Sequence, residues 1–185
     1  MHTTRTAVLA ASASVLTLLT ACGTMTTPTA MFSQANLPDA VKVPAGHQVA
    51  METVGVGEIT YECRDKKDAA GQTEWVFVGP DAKLLSRSGQ QVGKYYGPPA
   101  TWESNDGSKL TAPQVAVAPN GAGNIPLQLV KANPATGMGA MTGVTYIQRV
   151  ATQGGVAPAT PCTPATKGQK QVVKYQADYI FYKAL

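Results

Sequence analysis

Trp102, Glu103 and Asp106 lie within one short stretch of the chain. Two carboxylates are what glycoside hydrolysis uses, one as acid and one as base or nucleophile. An aromatic ring beside them is the surface on which a sugar stacks. Tyr95 and Tyr96, a few residues upstream, complete the candidate ligand-binding set. The same stretch has a plainer reading. Asn105-Asp106-Gly107 is hairpin-turn chemistry, because Asn, Asp and Gly tolerate the positive φ such turns need. Trp102 would then close a core.

Other chemistries find less. After the first five residues the only histidine is His47, preceded by Pro44-Ala45-Gly46. One histidine cannot build a His-rich zinc or copper site, and no metal site is expected. Ser33, Ser86, Ser88, Ser104 and Ser108 lie outside any G-x-S-x-G elbow, and a triad would have to use His47. Gly55-Val56-Gly57, Gly121-Ala122-Gly123 and Gly137-Met138-Gly139 are glycine-rich, but none reads G-x-G-x-x-G, and Walker A is absent. No cofactor and no catalytic residue is assigned.

The three cysteines divide into one and two. A short n-region carrying Arg5 leads into Thr6–Leu19, 14 uncharged residues rich in Ala, Val and Leu. Spanning a hydrocarbon core takes about 20 helical residues, so this run fits the h-region of a signal peptide. It ends in Leu19-Thr20-Ala21-Cys22, which resembles the lipobox of bacterial lipoproteins. We therefore expect a signal peptide over 1–21, cleavage before Cys22, and acyl chains on that residue, two or more of which anchor stably. Gly23 rather than Asp follows the cysteine. By resemblance to other lipoproteins that favours the outer membrane of a two-membrane cell. Cys63 and Cys162 remain. Outside the cytoplasm two thiols tend to pair, and the loop they would close holds 98 residues. The chain-entropy model puts such a crosslink at about 4–5 kcal/mol. Metal ligation and a catalytic thiol are the alternatives, and neither cysteine has a CxxC partner.

The elements that must position these residues read as strands. Charged residues make up 14% of the chain, against 18 Gly and 13 Pro, a composition of turns rather than helices. The net charge is +4, with basic residues scattered; Arg64, Lys66 and Lys67 alternate with Asp65 and Asp68. No basic stripe with interleaved aromatics exists, so nucleic acid is not an expected partner. Residues 22–36 are uncharged and rich in Thr, Ala and Met, and read as a lipidated tether ahead of a single β-rich domain, 37–185. Alternation marks Ile59–Cys63, Lys109–Val117, Leu127–Ala132 and Val144–Val150 as strands. Trp75–Val78 is apolar on both faces and reads as central, and Gly79-Pro80-Asp81-Ala82 reads as a turn. Thr152–Gly168 reads as a long loop carrying Cys162. The clearest strand is Val172–Tyr182, with Val173, Tyr175, Ala177, Tyr179 and Phe181 on one face and Lys174, Gln176 and Asp178 on the other. No window carries a helical apolar stripe. The fold expected is all-β, an antiparallel sandwich or flattened barrel of eight or nine strands with long loops.

From Val43 to Tyr182 the order of motifs resembles a family of secreted bacterial and fungal proteins, domain of unknown function 3455. The residues that carry the resemblance are Val43-Pro44-Ala45-Gly46, Tyr61-Glu62-Cys63, and Gly93-Lys94-Tyr95-Tyr96-Gly97-Pro98 followed by Trp102-Glu103 and Asp106-Gly107-Ser108. They continue with Ile125-Pro126, Ile147-Gln148-Arg149-Val150, Gly154-Gly155 and Tyr175–Tyr182. The resemblance implies export and a compact fold. It supplies no activity, and the dehydrogenase label of some members is at odds with the missing dinucleotide fingerprint.

Together these readings predict a cell-envelope lipoprotein that is a non-catalytic binding or structural module. Its partners would be the membrane, through lipid on Cys22, and a small molecule, glycan or envelope protein. The competing expectation is an envelope hydrolase or carbohydrate-binding enzyme using Trp102, Glu103 and Asp106. A buried Trp102 with its two carboxylates turned to separate tasks would remove that expectation's support.

Overall fold

The structure is a computed structural model that describes residues 32–185. The expected signal peptide and Cys22 lie outside the described residues. Nine strands occur within them: β1 His47–Asp65, β2 Thr73–Leu85, β3 Gln91–Tyr96, β4 Thr101–Ser104, β5 Lys109–Thr111, β6 Gln114–Ala118, β7 Leu127–Lys131, β8 Val144–Gly154 and β9 Lys170–Ala184. They form one antiparallel sheet in the order β5-β4-β3-β2-β1-β9-β8-β7-β6. The all-β expectation holds, and so does the strand count. Among the described residues helical structure is confined to two 3-10 turns, Asp39–Val41 and Pro164–Thr166.

The sheet curls into a half-barrel around its main core. Ile59, Leu84, Trp102, Leu110, Ile147 and Phe181, from six different strands, belong to one buried cluster. The two longest strands carry the curl. β9 sits between β1 and β8, and its Tyr175, Ala177, Tyr179 and Phe181 are all buried on the concave side, the face their alternation marks. On β1 the concave-side residues opposite them include Gly55 and Gly57. The Tyr179 ring lies against Gly55, and a Cβ on Gly57 would fall on the Asp81 carbonyl and the Ala82 backbone. These glycines thus serve close packing, where any side chain would force the strands apart.

A second core lies on the other face. Ile180 and Tyr182 join Leu127, Leu129 and Val150, and residues Val41 and Val43 cover them, with Phe32 and Leu37 packed alongside. A buried polar network fastens this strap. Gln34 Oε1 accepts from the Val43 amide (2.8 Å) and from Gln148 Nε2 (3.0 Å). Gln148 Nε2 also donates to the Val41 carbonyl, and Tyr182 Oη donates to Gln148 Oε1. At the strap's start the Phe32 amide donates to Glu52, which Arg87 holds together with Asp178. Phe32 and Gln34, which the sequence places in the tether, are thus docked on the sheet. The strap shows no alternation because its anchor is a side-chain amide rather than a strand.

Gly79-Pro80-Asp81-Ala82, expected as a turn, runs inside β2. The proline falls beside the register shift at Thr60–Tyr61 and before β3 pairing begins at Asp81. A bulge and a one-sided strand are the settings in which a sheet tolerates proline. The long loop after β8 folds over one end of the half-barrel. Cys63 and Cys162 form a disulfide. Around it Trp75 Nε1 donates to the Thr160 carbonyl and Thr73 Oγ1 to the Cys162 carbonyl.

Candidate functional site

Cross-strand register builds the site. In an antiparallel sheet, directly paired residues point to the same face. Asp81 on β2, Glu58 on β1 and Lys174 on β9 form one such row on the convex face, which Tyr96 extends onto β3. The next convex row is longer. It runs Lys109, Glu103, Lys94 and Lys83 across β5 to β2, then Val56, Gln176 and Gln153 across β1, β9 and β8. Adjacent strands are about 4.8 Å apart, so this polar lane crosses seven strands over about 29 Å.

Three depressions lie along the lane. The largest, about 690 Å³, is bordered by Val56, Glu58, Asp81, Lys83, Lys174 and Gln176, with Gln153 at its far side. A second, about 410 Å³, adjoins it at Asp81 and reaches Lys94 and Tyr96. A third, about 280 Å³, starts on the other side of Tyr96 and runs to Lys109, Thr111 and Thr136. The first two lie in the size range of ligand clefts.

The lane's charges differ in their commitments. Glu103 accepts from Tyr96 Oη at 2.7 Å and pairs with Lys94 at 3.3 Å. The tyrosine bond, then the lysine, hold its carboxyl below the usual range, and the same bond pushes the Tyr96 phenol up. Lys94 also lies over the Tyr96 ring, 5.2 Å from its centroid. In the largest depression the situation is reversed. Glu58 and Lys174 are register partners of opposite sign, yet neither they nor Asp81 and Lys83 form an ion pair within 4.0 Å among the described residues. Two carboxylates also face each other directly, Glu58 and Asp81. Like charges so placed oppose pairing.

The residues singled out from sequence separate. Trp102 is 1% exposed, its ring 4.5 Å from that of Tyr95 in a stacked arrangement and 6.0 Å from Tyr179. Tyr95 is buried too, and burial raises its phenol. Both belong to the core and offer no stacking platform. Asp106 stays in the β4–β5 turn and works as a clamp. Its carboxylate accepts from the Ser108 amide (2.9 Å), from Ser108 Oγ (2.6 Å) and from the Ala140 amide (2.8 Å). The Ser108 hydroxyl first, then the two amides, bring its pKa down to about 2. Glu103 and Asp106 therefore have separate structural tasks, and of the five candidates Tyr96 and Glu103 alone face the lane. Every shifted carboxylate is lowered and every shifted tyrosine raised, away from neutral pH. His47 is half-exposed at the start of β1, its Nδ1 3.1 Å from the Pro44 carbonyl and its ring edge-on to Tyr146. Among the described residues no three His, Cys, Asp or Glu side chains gather for a metal.

Sequence reasoning missed Glu58, Asp81, Lys83, Gln153, Lys174 and Gln176. Alternation showed that Lys174 and Gln176 share a polar face. Register, which brings residues over 90 positions apart side by side, carries no local signal.

A family model described as Protein of unknown function (DUF3455) matches residues 44–183, and the chain belongs to that family. No curated protein and no solved structure matches it.

Proposed function

We propose that the chain is a lipid-anchored module of the cell envelope that binds an extended polar ligand along its convex lane and leaves it chemically unchanged. The observation that carries this reading is the largest of the three depressions, bordered by four charged side chains that make no ion pair among the described residues and by two glutamines. Polar groups without internal partners are available to a ligand.

The anchor is the lipid on Cys22, and Gly23 directs the protein to the outer membrane. Phe32 is held to the body of the domain, so the chain between Cys22 and Phe32 spans at most about 35 Å even when fully extended. The domain would thus stay close to the bilayer. Fractionating cells that express Cys22→Ala tests the anchor: the variant should leave the membrane fraction, and persistent membrane association would refute lipidation. Thermal-shift screening of the full chain in detergent tests the binding site. A ligand that raises the melting temperature of the parent but not of Asp81→Asn supports it, and ligands that act equally on both refute it.

A further inference from the structure

We infer that the ligand of the lane is a neutral linear glycan, lying across the strands with one sugar ring per strand or nearly so; this rests on the lane being a binding face. Three observations lead there. The first is direction. The lane crosses β5, β4, β3, β2, β1, β9 and β8 at their convex side chains, and of these seven strands only β5 lies at a sheet edge. A peptide laid there could not pair its backbone with the sheet, which is the usual source of affinity for extended peptides. Recognition has to come from side chains meeting polar groups along the ligand's whole length, which a chain of hydroxyl-bearing rings provides. The strand spacing of about 4.8 Å is close to the rise of a β-linked pyranose chain, so successive rings would meet successive strands.

The second observation is charge. Along the longer row Lys109 precedes Glu103, and Lys94 and Lys83 follow. Alongside lie Asp81 and Glu58, then Lys174. Four lysines and three carboxylates are interspersed over short distances, and the charges nearly cancel. Such a surface attracts neither a polyanion nor a polycation along its length. It suits an uncharged ligand with many hydroxyls, whose pairs a carboxylate accepts from and whose oxygens a lysine or glutamine amide donates to.

The third is the position of Tyr96. It borders both the second and the third depression, so a chain passing from one to the other crosses its ring. The ring is held in place by its hydroxyl bond to Glu103. A sugar's C–H face against an aromatic ring is the apolar component that such a lane otherwise lacks outside Val56.

Titrating the full chain in detergent with hexasaccharides of β-1,4-linked glucose, N-acetylglucosamine, mannose and xylose tests the inference. At least one hexamer should bind with a dissociation constant below about 1 mM, and its disaccharide at least about tenfold more weakly, since most of the lane would be empty. Asp81→Asn and Gln176→Ala should each weaken the hexamer by about five- to tenfold. Lys131→Gln, on β7 away from the lane, should leave it unchanged. Failure of all four hexamers overturns the glycan. If another ligand class then still protects the parent and not Asp81→Asn, the binding-module reading survives alone. Equal hexamer binding by the parent and both lane variants overturns both. A hexamer that binds and is shortened upholds the glycan and overturns the non-catalytic reading.

Discussion

The same strands β5 to β9 carry two rows back to back. On the concave side run Leu110, Trp102, Tyr95, Ala82, Gly57 and Tyr175, in register and largely buried. One position along each strand, on the convex side, run Lys109, Glu103, Lys94, Lys83, Val56 and Gln176. The concave row is closed: rings stack and a glycine admits a neighbouring backbone. The convex row leaves polar groups uncommitted in its largest depression. The two faces of one set of strands thus differ, a closed packed row on one side and an open polar row, which we propose binds a ligand, on the other. Tyr95 is a core ring, and Tyr96, its neighbour, faces the convex lane.

The largest effect expected concerns the strand both faces share. β9 pairs with β1 and β8 along most of its length, and Ala177, Tyr179, Ile180 and Phe181 are fully buried. Truncation after residue 171 removes all of them and leaves two open edges. Burying one large apolar side chain is worth about 1.5–3 kcal/mol, so the loss approaches the roughly 5–15 kcal/mol that holds a domain together. Circular dichroism should show no cooperative melt. A near-normal melt would mean that the concave core does not depend on β9.

Next comes the contrast within one hairpin. Trp102→Ala should cost about 3–5 kcal/mol by opening a cavity against Tyr95 and Tyr179. Tyr96→Ala should cost about 1 kcal/mol, the worth of one exposed-face hydrogen bond. Denaturant melts of the two variants measure the gap, and equal losses would erase the division between the faces.

Gln34→Ala follows. It leaves the buried Gln148 amide and the Val43 backbone short of partners, which should cost about 1–3 kcal/mol and weaken the strap without touching the concave core. Hydrogen exchange should rise in residues 32–43 before it rises in β1. Uniform exchange would show that strap and sheet open as one unit.

How much of this was legible turns on the range of each signal. Tyr175 to Phe181 announced their buried face because alternation is local. Ile180 and Tyr182 did not announce theirs, since the strap that covers them arrives from over 130 positions away. Gly55 and Gly57 were visible as glycines, but their purpose, room for Tyr179 and for Ala82, depends on strands distant in sequence. The pairing of Cys63 with Cys162 could be read because cysteines have few partners. The lane could not, because Lys, Glu and Gln on an exposed face look alike until register places them in a row.

Acid tests the Asp106 clamp that holds the loop at Ala140 to the β4–β5 turn. Its folded pKa, about 2, lies below the roughly 3.9 of an unfolded aspartate. A depressed carboxylate contributes stability that is fully present above the unfolded value and lost as pH falls through the folded one. The parent should therefore lose melting temperature between pH 5 and pH 2, and Asp106→Asn, already without the ionised acceptor, should lose less over the same interval. Parallel slopes would show that the clamp contributes nothing ionic.

The smallest effect expected is the most discriminating for the convex face. Glu58 and Asp81 are direct cross-strand neighbours of like charge, an arrangement that works against the β1–β2 pairing. Neither forms an ion pair among the described residues. Neutralising one carboxylate removes repulsion and breaks no internal contact, so Asp81→Asn should change stability by no more than about 0.5 kcal/mol, in the stabilising direction. A residue that served the fold would behave in the opposite way, losing stability when altered, as Trp102 should. The sign of this small change therefore separates two accounts of the row. If Asp81→Asn melts at or above the parent temperature, the carboxylate is held against the interest of the sheet, as expected where a site is kept for a ligand. If the variant melts well below the parent, Asp81 supports the strands, and the convex row is a second structural face rather than a binding lane.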